Sequence, residues 1–311
     1  MDQLSQLQDT AEKITSMEIR GAGRIAKAAA VALRDYAKSL EVGSIGEFSR
    51  HIENAAKLLV DTRPTAVSLP NAVRLTARYT SADVEEAREE IINNAEQFIK
   101  QAGDALQKIG EIGGRRIRDG DVIMTHCNSH AALSVITTAF GQGKDISVIA
   151  TETRPRRQGL LTSKHLLDHG IPTTLIVDSA VRYCMKEVDS VIVGADAIAV
   201  NGALVNKIGT SQLALAAHEA RTNFLTAAET YKFSPDTILG EFIEIEERSV
   251  DEVIDKETLA GLPELNVRNP AFDITPPEYI DLIITDVGAV PPGMAYSIIK
   301  DHLGWEIGDM V

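Results

Sequence analysis

Up to about residue 110, apolar positions recur every third or fourth residue, the period of helices with one buried face. Leu4, Leu7, Ala11 and Ile14 make one such face; Ile25, Ala28, Ala29, Ala32, Leu33, Tyr36 and Leu40 make a second. A third runs from Ile45 to Val60. The longest follows Val84, Ala87, Ile91, Ala95, Phe98, Ala102, Ala105 and Ile109. Thr80 and Asp83 read as the capping box of that last helix. Its other face, with Glu85, Glu86, Glu89, Glu96 and Lys100, reads as solvated.

The pattern then changes. Gly110, Gly113, Gly114 and Gly120, with Arg115-Arg116-Ile117-Arg118 among them, mark a junction. Beyond it, short apolar runs alternate with helical patterns. Strands are expected at Val122–His126, Ile146–Ala150, Thr173–Val177, Val188–Val193, Phe224–Ala228 and Leu282–Thr285. Helices are expected to begin near Ser129, Gln158, Ser179, Gly209 and Gly293. Such strands, apolar without alternation, are buried on both faces. The expected class is α/β: an N-terminal helical domain (1–112), then a Rossmann-like, doubly wound parallel sheet domain (113–311). The acidic stretch Glu241–Asp255 reads as an exposed hairpin or excursion without a catalytic role.

In a doubly wound sheet, ligands bind outside the carboxyl ends of the strands. The residues expected there are chemically rich. The first strand ends in Cys127-Asn128-Ser129 and the second in Thr151-Glu152-Thr153-Arg154-Pro155. The third ends at Asp178, the fourth at Gly194-Ala195-Asp196, and the fifth at Glu229-Thr230-Tyr231-Lys232. Asn206-Lys207-Ile208-Gly209 adds a glycine-bearing helix start with a lysine, a seat for phosphate or sugar hydroxyls. Cys127 has two readings: a small core side chain, or a thiol whose pKa is lowered by the helix start beside it. Asp196 is either a turn-capping carboxylate or a proton donor, and Lys207 either a surface charge or a ligand. A thiolate and a carboxyl in one pocket suit proton transfer at adjacent carbons.

Two loops of the helical region carry similar signals. Arg20-Gly21-Ala22-Gly23-Arg24-Ile25-Ala26 matches G-x-G-x-x-A, but no strand precedes it, so the dinucleotide reading fails. A glycine-bearing helix start with two arginines remains, suited to phosphate. Arg63, ahead of Pro64, is a second candidate anion ligand or a plain surface charge.

Composition narrows the classes. The net charge of −14 requires that an anionic ligand meet a local basic pocket, and an aromatic content of 5% argues against a base-stacking nucleic-acid surface. Two cysteines fit a reducing cytoplasm rather than a disulfide framework. No apolar run reaches membrane-spanning length and no secretory leader is visible. His126, Cys127 and Cys184 lack zinc spacing, so no metal is expected.

Taken together, Thr125-His126-Cys127-Asn128, Glu152-Thr153-Arg154-Pro155 with Gln158-Gly159, Gly194-Ala195-Asp196, and Asn201-Gly202 leading to Asn206-Lys207-Ile208-Gly209-Thr210 resemble one superfamily. It holds the isomerases of methylthioribose 1-phosphate and ribose 1,5-bisphosphate, and the regulatory subunits of translation initiation factor 2B. The ordered motifs extend over nearly the whole chain. Arg20-Gly21-Ala22-Gly23 and the chain length resemble the bisphosphate branch. The methylthioribose branch usually carries Arg-Gly-Ala-Pro, and the initiation-factor subunits typically lack the Cys and Asp pair.

The resemblance implies a proton acceptor at Cys127 and a proton donor at Asp196. It implies substrate contacts at Arg20, Gly21, Ala22, Gly23, Arg63, Ser129, His130, Ala131, Asn206, Lys207 and Lys232. It also implies activation by AMP, a homo-oligomer built as a dimer-based hexamer, and a place in archaeal AMP salvage. The expected reaction converts ribose 1,5-bisphosphate to ribulose 1,5-bisphosphate; a hydride shift is the rival to proton abstraction. Arg20, the Gly21–Gly23 amides and Arg63 are expected at the 1-phosphate, and Ser129, His130 and Lys232 at the 5-phosphate.

Overall fold

The computed structural model describes residues 3–19, 21–63, 66–240 and 243–305. The chain forms two compact units, Met1–Ala105 and Leu106–Val311. The first is helical: α1 (Gln3–Thr15), α2 (Ala22–Ser39), α3 (Ile45–Val60), α4 (Ser68–Ala77) and most of α5 (Val84–Gly114). The boundary between the units lies inside α5.

The predicted faces meet in one core: Leu7, Ala11 and Ile14 of α1, Ile25, Ala29, Leu33 and Tyr36 of α2, Phe48, Ile52 and Leu59 of α3, and Ala87 and Ile91 of α5. Leu4 is exposed, outside that core. Leu69 and Val73 of α4 complete it. The start of α5 differs from the expected capping box. Asp83 alone caps it, accepting from the amides of Glu85 and Glu86, while the amide of Thr80 is taken by Glu90.

The second unit begins with the last turns of α5. Its other elements are β1 (Val122–Thr125), α6 (His130–Gly141), β2 (Ser147–Thr151), α7 (Gly159–Asp168), β3 (Thr173–Ile176), α8 (Val181–Cys184), β4 (Ser190–Val193) and β5 (Ala197–Ile198). Then follow β6 (Leu204–Lys207), α9 (Thr210–Ala220), β7 (Asn223–Ala227), α10 (Lys256–Ala260), β8 (Phe272–Thr275), β9 (Leu282–Thr285), β10 (Gly288–Val290) and α11 (Ala295–Leu303).

Gly110, Gly113 and Gly114, read as a break, lie inside α5 instead. A Cβ on Gly110 would stand 2.5 Å from the hydroxyls of Ser134 and Thr138, and one on Gly113 2.5 Å from Val135. These glycines buy closeness between α5 and α6, and the helix continues through them.

The main sheet has the order β10-β9-β7-β4-β1-β2-β3. Every pairing is parallel except β10 on β9. All six expected strands are present. The chain runs from β1 outward to β2 and β3, then returns across β1 to β4, β7 and β9. The winding therefore reverses between β1 and β4, as in a doubly wound fold.

Two features were not predicted. β10 adds an antiparallel edge, and β5, β6 and β8 form a small antiparallel sheet. Strands of two to four residues leave little local pattern, and the pairing of β6 with β8 also spans a long stretch of chain. Of the two readings of Glu241–Asp255, hairpin or excursion, the described part is an excursion without a strand pair. It makes a bridge from Glu247 to Pro270 and a 3₁₀ turn at Val250–Glu252. Within it Arg248 lies 2.8 Å from Glu252, while Glu247 pairs with Arg268 outside the segment.

Candidate active site

The two proposed proton carriers flank the reversal point. β1 and β4 are neighbours, with Ile123 opposite Ser190 and Met124 opposite Val191. Cys127 follows the end of β1 and Asp196 the end of β4, and both are half-buried. Their side chains interact: burial first, and the charge of Asp196 second, push the Cys127 thiol up to about 12. The Asn128 amide and Lys207 pull the other way without prevailing. This corrects the expectation of a lowered thiol pKa. The sulfur is enclosed beside a carboxylate, and enclosure outweighs the nearby helix start.

Cys127 has a left-handed backbone, φ 68°. Its N–H donates to Thr153 Oγ1 at 2.9 Å, and its carbonyl accepts from Thr162 Oγ1 at 2.7 Å. Thr153 is left-handed too, φ 60°, with its amide and that of Arg154 held by Asp178 at 2.8 and 2.7 Å.

A one-way hydrogen-bond chain starts at the same amide. The Ile208 carbonyl only accepts, so His126 Nε2 carries the proton and donates to it, at 2.8 Å. Nδ1 is then the acceptor for the Thr151 hydroxyl at 2.6 Å. Thr151 Oγ1 in turn lies 3.2 Å from the Thr153 hydroxyl, which closes the chain back to Cys127. Burial lowers the pKa of His126, in keeping with a neutral ring. Close packing fixes the surrounding turns. A Cβ on Gly159 would overlap the Thr151 carbonyl, and one on Gly194 would overlap the Ser129 side chain.

On the Asp196 side, the chain folds back at Asn201-Gly202, where Gly202 has φ 86° and the Ala203 amide donates to Asn201 Oδ1 at 3.0 Å. That turn pairs β5 with β6 and leads the Asp196 amide to the Val205 carbonyl at 2.9 Å. Asn206 and Lys207, the next two residues, are thereby brought beside Asp196. Asn206 Nδ2 donates to Thr210 Oγ1 at 3.0 Å, and the Lys207 ammonium lies 4.6 Å from the centre of the Phe272 ring.

The helix start at Gly209, expected to seat a phosphate or sugar hydroxyls, already holds an anion. Asp273 accepts from the amides of Gly209 at 2.7 Å and Ser211 at 3.1 Å. β6 pairs with β8, which puts Asp273 opposite Asn206. Burial pushes the Asp273 carboxyl up to about 6, against the pull of those amides. What this strand end offers a ligand is therefore side chains, Asn206 and Lys207.

The remaining predicted contacts divide. Ser129 caps α6, accepting from the Ala132 amide at 3.3 Å. His130 is exposed and Ala131 buried. Lys232 is buried, its ammonium 2.7 Å from the Glu229 carboxylate. Burial would raise Glu229, but Lys232 holds it below its ordinary value. In the helical unit, Gly21 is the N-cap of α2 with φ 92°, and Ala22 and Gly23 form its first turn. Arg63 Nη1 lies 3.0 Å from Met17 Sδ, and the Ser68 hydroxyl donates to the Ala22 carbonyl at 3.2 Å. Each flagged loop is thus tied to a segment adjoining the other, Arg63 to the turn after α1 and Ala22 to the start of α4. Arg20 lies outside the described residues.

Among the described residues, no three His, Cys, Asp or Glu side chains are grouped to hold a metal ion, and no helix is long and apolar enough to cross a membrane. Cys184 is half-buried, in α8.

The model of the Initiation factor 2 subunit family matches residues 18–292. The chain belongs to this family. Among curated relatives, this family member is 55% identical over 306 residues to ribose 1,5-bisphosphate isomerase of Methanocaldococcus jannaschii, covering 98% of each chain. It is 56% identical to the protein of that name from Archaeoglobus fulgidus, covering 97% of this chain and 95% of the other. It is 39% identical to methylthioribose-1-phosphate isomerase of Acetivibrio thermocellus over 94% of this chain and 90% of the relative. Among solved structures, it resembles translation initiation factor eIF-2B of Pyrococcus horikoshii with a TM-score of 0.79 at 32% identity, covering 92% and 97% of the two chains.

Proposed function

We propose that this family member is an aldose–ketose isomerase that converts ribose 1,5-bisphosphate to ribulose 1,5-bisphosphate. The observation that carries the proposal is the meeting of Cys127 and Asp196 at the reversal point of the sheet, with Lys207 acting on the same thiol. Relatives bearing that isomerase name are 52–56% identical to this chain over nearly its full length. The methylthioribose relatives stand further off, at 39%.

The substrate carries phosphate on its anomeric oxygen, so its ring does not open to a free aldehyde. Asp196, as the acid, gives a proton to the ring oxygen as the bond from C1 to that oxygen breaks. Cys127, as thiolate, takes the proton from C2, leaving an enol phosphate. The thiol, after exchange of its proton with solvent, gives a proton to C1 while the C2 hydroxyl gives its own to Asp196. The product is the ketone, and both side chains regain their starting protonation states. General acid–base help of this kind contributes about 10²–10⁴-fold.

The raised thiol pKa constrains this cycle. With its thiol pushed up to about 12, Cys127 rests protonated at neutral pH. The proton must leave the sulfur before C2 is attacked, and the neighbouring Asp196 is the natural acceptor. Exclusion of water by a bound sugar favours the neutral carboxyl so formed.

A coupled assay of the purified protein with ribose 1,5-bisphosphate, with and without AMP, tests the activity; methylthioribose 1-phosphate is the competing substrate. Turnover of the methylthioribose sugar alone would overturn the bisphosphate reading. Solvent deuterium at C1 of the product separates proton transfer from a hydride shift. AMP activation, a cytoplasmic location and a hexameric assembly belong to the same reading. The AMP arm and light scattering test the first and last. Arg63, Gly21, Ala22, Gly23 and Arg20 are read as substrate contacts, for which Arg63→Ala predicts a raised KM.

A further inference from the structure

We infer that Thr153 and Thr162 are positioning residues for the Cys127 thiol, clamping both backbone polar groups of Cys127 and so fixing its left-handed conformation. The inference rests on the isomerase reading for its kinetic consequence, and on geometry alone for its effect on the sulfur.

A non-glycine residue in the left-handed region is strained, and persists only where its surroundings hold it. At Cys127 the holding groups are identifiable. The N–H is taken by Thr153 Oγ1 at 2.9 Å and the carbonyl by Thr162 Oγ1 at 2.7 Å. Both threonines are buried, with 0% and 1% of their surfaces exposed, so water does not readily replace either hydroxyl. Each is itself anchored. Thr153 is fixed through Asp178 and through the hydroxyl chain to His126. Thr162 stands on the buried side of the first turn of α7, with Gly159 and Leu166.

The two clamps arrive from different elements, the loop after β2 and helix α7. Loss of either releases one side of Cys127. Returning φ to the ordinary negative range would re-aim the Cα–Cβ bond, and with it the sulfur, relative to Asp196. Neither hydroxyl is needed to contact a sugar for this to matter.

The test uses Thr153→Val and Thr162→Val, which remove the hydroxyl while keeping the branch, with Thr153→Ser and Thr162→Ser as the conservative pair. Kinetics with ribose 1,5-bisphosphate are read beside the pH dependence of Cys127 alkylation by iodoacetamide, followed by peptide mass mapping to separate Cys184. Each valine variant is expected to lower kcat by about 10²-fold, the scale of an ångström-sized misplacement. KM should stay within about twofold, because ground-state binding is untouched. The alkylation profile should move in the valine variants, and the serine variants should restore both readouts.

Valine variants with wild-type kcat and an unmoved alkylation profile would overturn the inference, as would serine variants as impaired as the valines. Should Thr153→Val fail to fold, Thr162→Val and the serine pair decide. A wild-type protein that does not turn over the bisphosphate would remove the isomerase reading instead, and the alkylation arm would still decide the clamp.

Discussion

Ser129 fills the space that a side chain on Gly194 would need. A Cβ on Gly194 would overlap both the Oγ and the Cβ of Ser129, the cap of α6. The end of β4 therefore meets the start of the helix after β1 at the point where the sheet reverses. Gly194→Ala should destabilise the protein by about 1–3 kcal/mol, the usual range for overpacking. Ser129→Gly alone should cost only a few tenths of a kcal/mol (roughly), since glycine is a tolerable cap. The double variant should recover most of the loss, because the overlapping atoms are gone. Urea melts of the four proteins give the coupling directly, and simple additivity would contradict the contact.

Asp273 makes a second, pH-dependent prediction. Its folded pKa, about 6, lies above the ordinary value of 3.8. The folded state therefore binds its proton more tightly than the unfolded state. Its contribution to stability is fully present below about pH 4 and is lost as pH rises through about 6. Asp273→Asn carries no such titration. Urea melts at intervals from pH 5 to 7 should show the advantage of wild type over Asp273→Asn shrinking as pH rises. A difference that is flat, or that grows with pH, would refute the buried-carboxyl account.

These two sites also show what a sequence reveals. Cys127 and Asp196 were legible because each ends a run of consecutive apolar residues, and strand ends converge in this fold. Lys207 was legible from the glycine-bearing helix start that follows it, although the strand that carries it, β6, was not. Asp273 was not. It is set by the pairing of β6 with β8, across more than sixty residues, and nothing beside it announces a cap. Gly110 and Gly113, read as marking a junction, serve close packing within α5, because glycine gives one sequence signal for both roles. Thr162 left a faint signal: it is polar and buried, while its neighbours Leu160 and Leu161 are 48% and 55% exposed. The thiol pKa needed three dimensions, since a nearby helix start is visible in sequence and enclosure is not.

His126 should stay neutral to lower pH than an ordinary histidine. Burial lowers its pKa, and its Nε2–H is committed to the Ile208 carbonyl. The folded state therefore binds a proton less readily than the unfolded state. The corresponding stability is present above about pH 6.5 and is lost as pH falls through the lowered folded value. Long-range ¹H–¹⁵N spectra of the histidines between about pH 7.5 and 5.5 should show one ring fixed as the Nε2–H tautomer and absent from His126→Gln. A His126 signal that titrates near the ordinary histidine value would contradict the buried chain.

The coupling of Cys127 to Asp196 is open to direct measurement. The carboxylate is the second cause of the raised thiol pKa, after burial. Asp196→Asn removes the charge and leaves the enclosure, so the alkylation profile of Cys127 should shift to lower pH. The shift should be partial, with the thiol still above its ordinary value of 9.0. The same variant should lose about 10²–10⁴-fold in turnover of ribose 1,5-bisphosphate, as should Cys127→Ser. A more reactive sulfur in a less active enzyme is a distinctive pair of outcomes. Simple misfolding would not give an ordered, partial change in the thiol titration. If Asp196→Asn leaves that titration unchanged, the carboxylate does not act on the sulfur and the shared-proton cycle fails. If it shifts the titration but retains near-normal turnover, the electrostatic contact stands and Asp196 is not the acid.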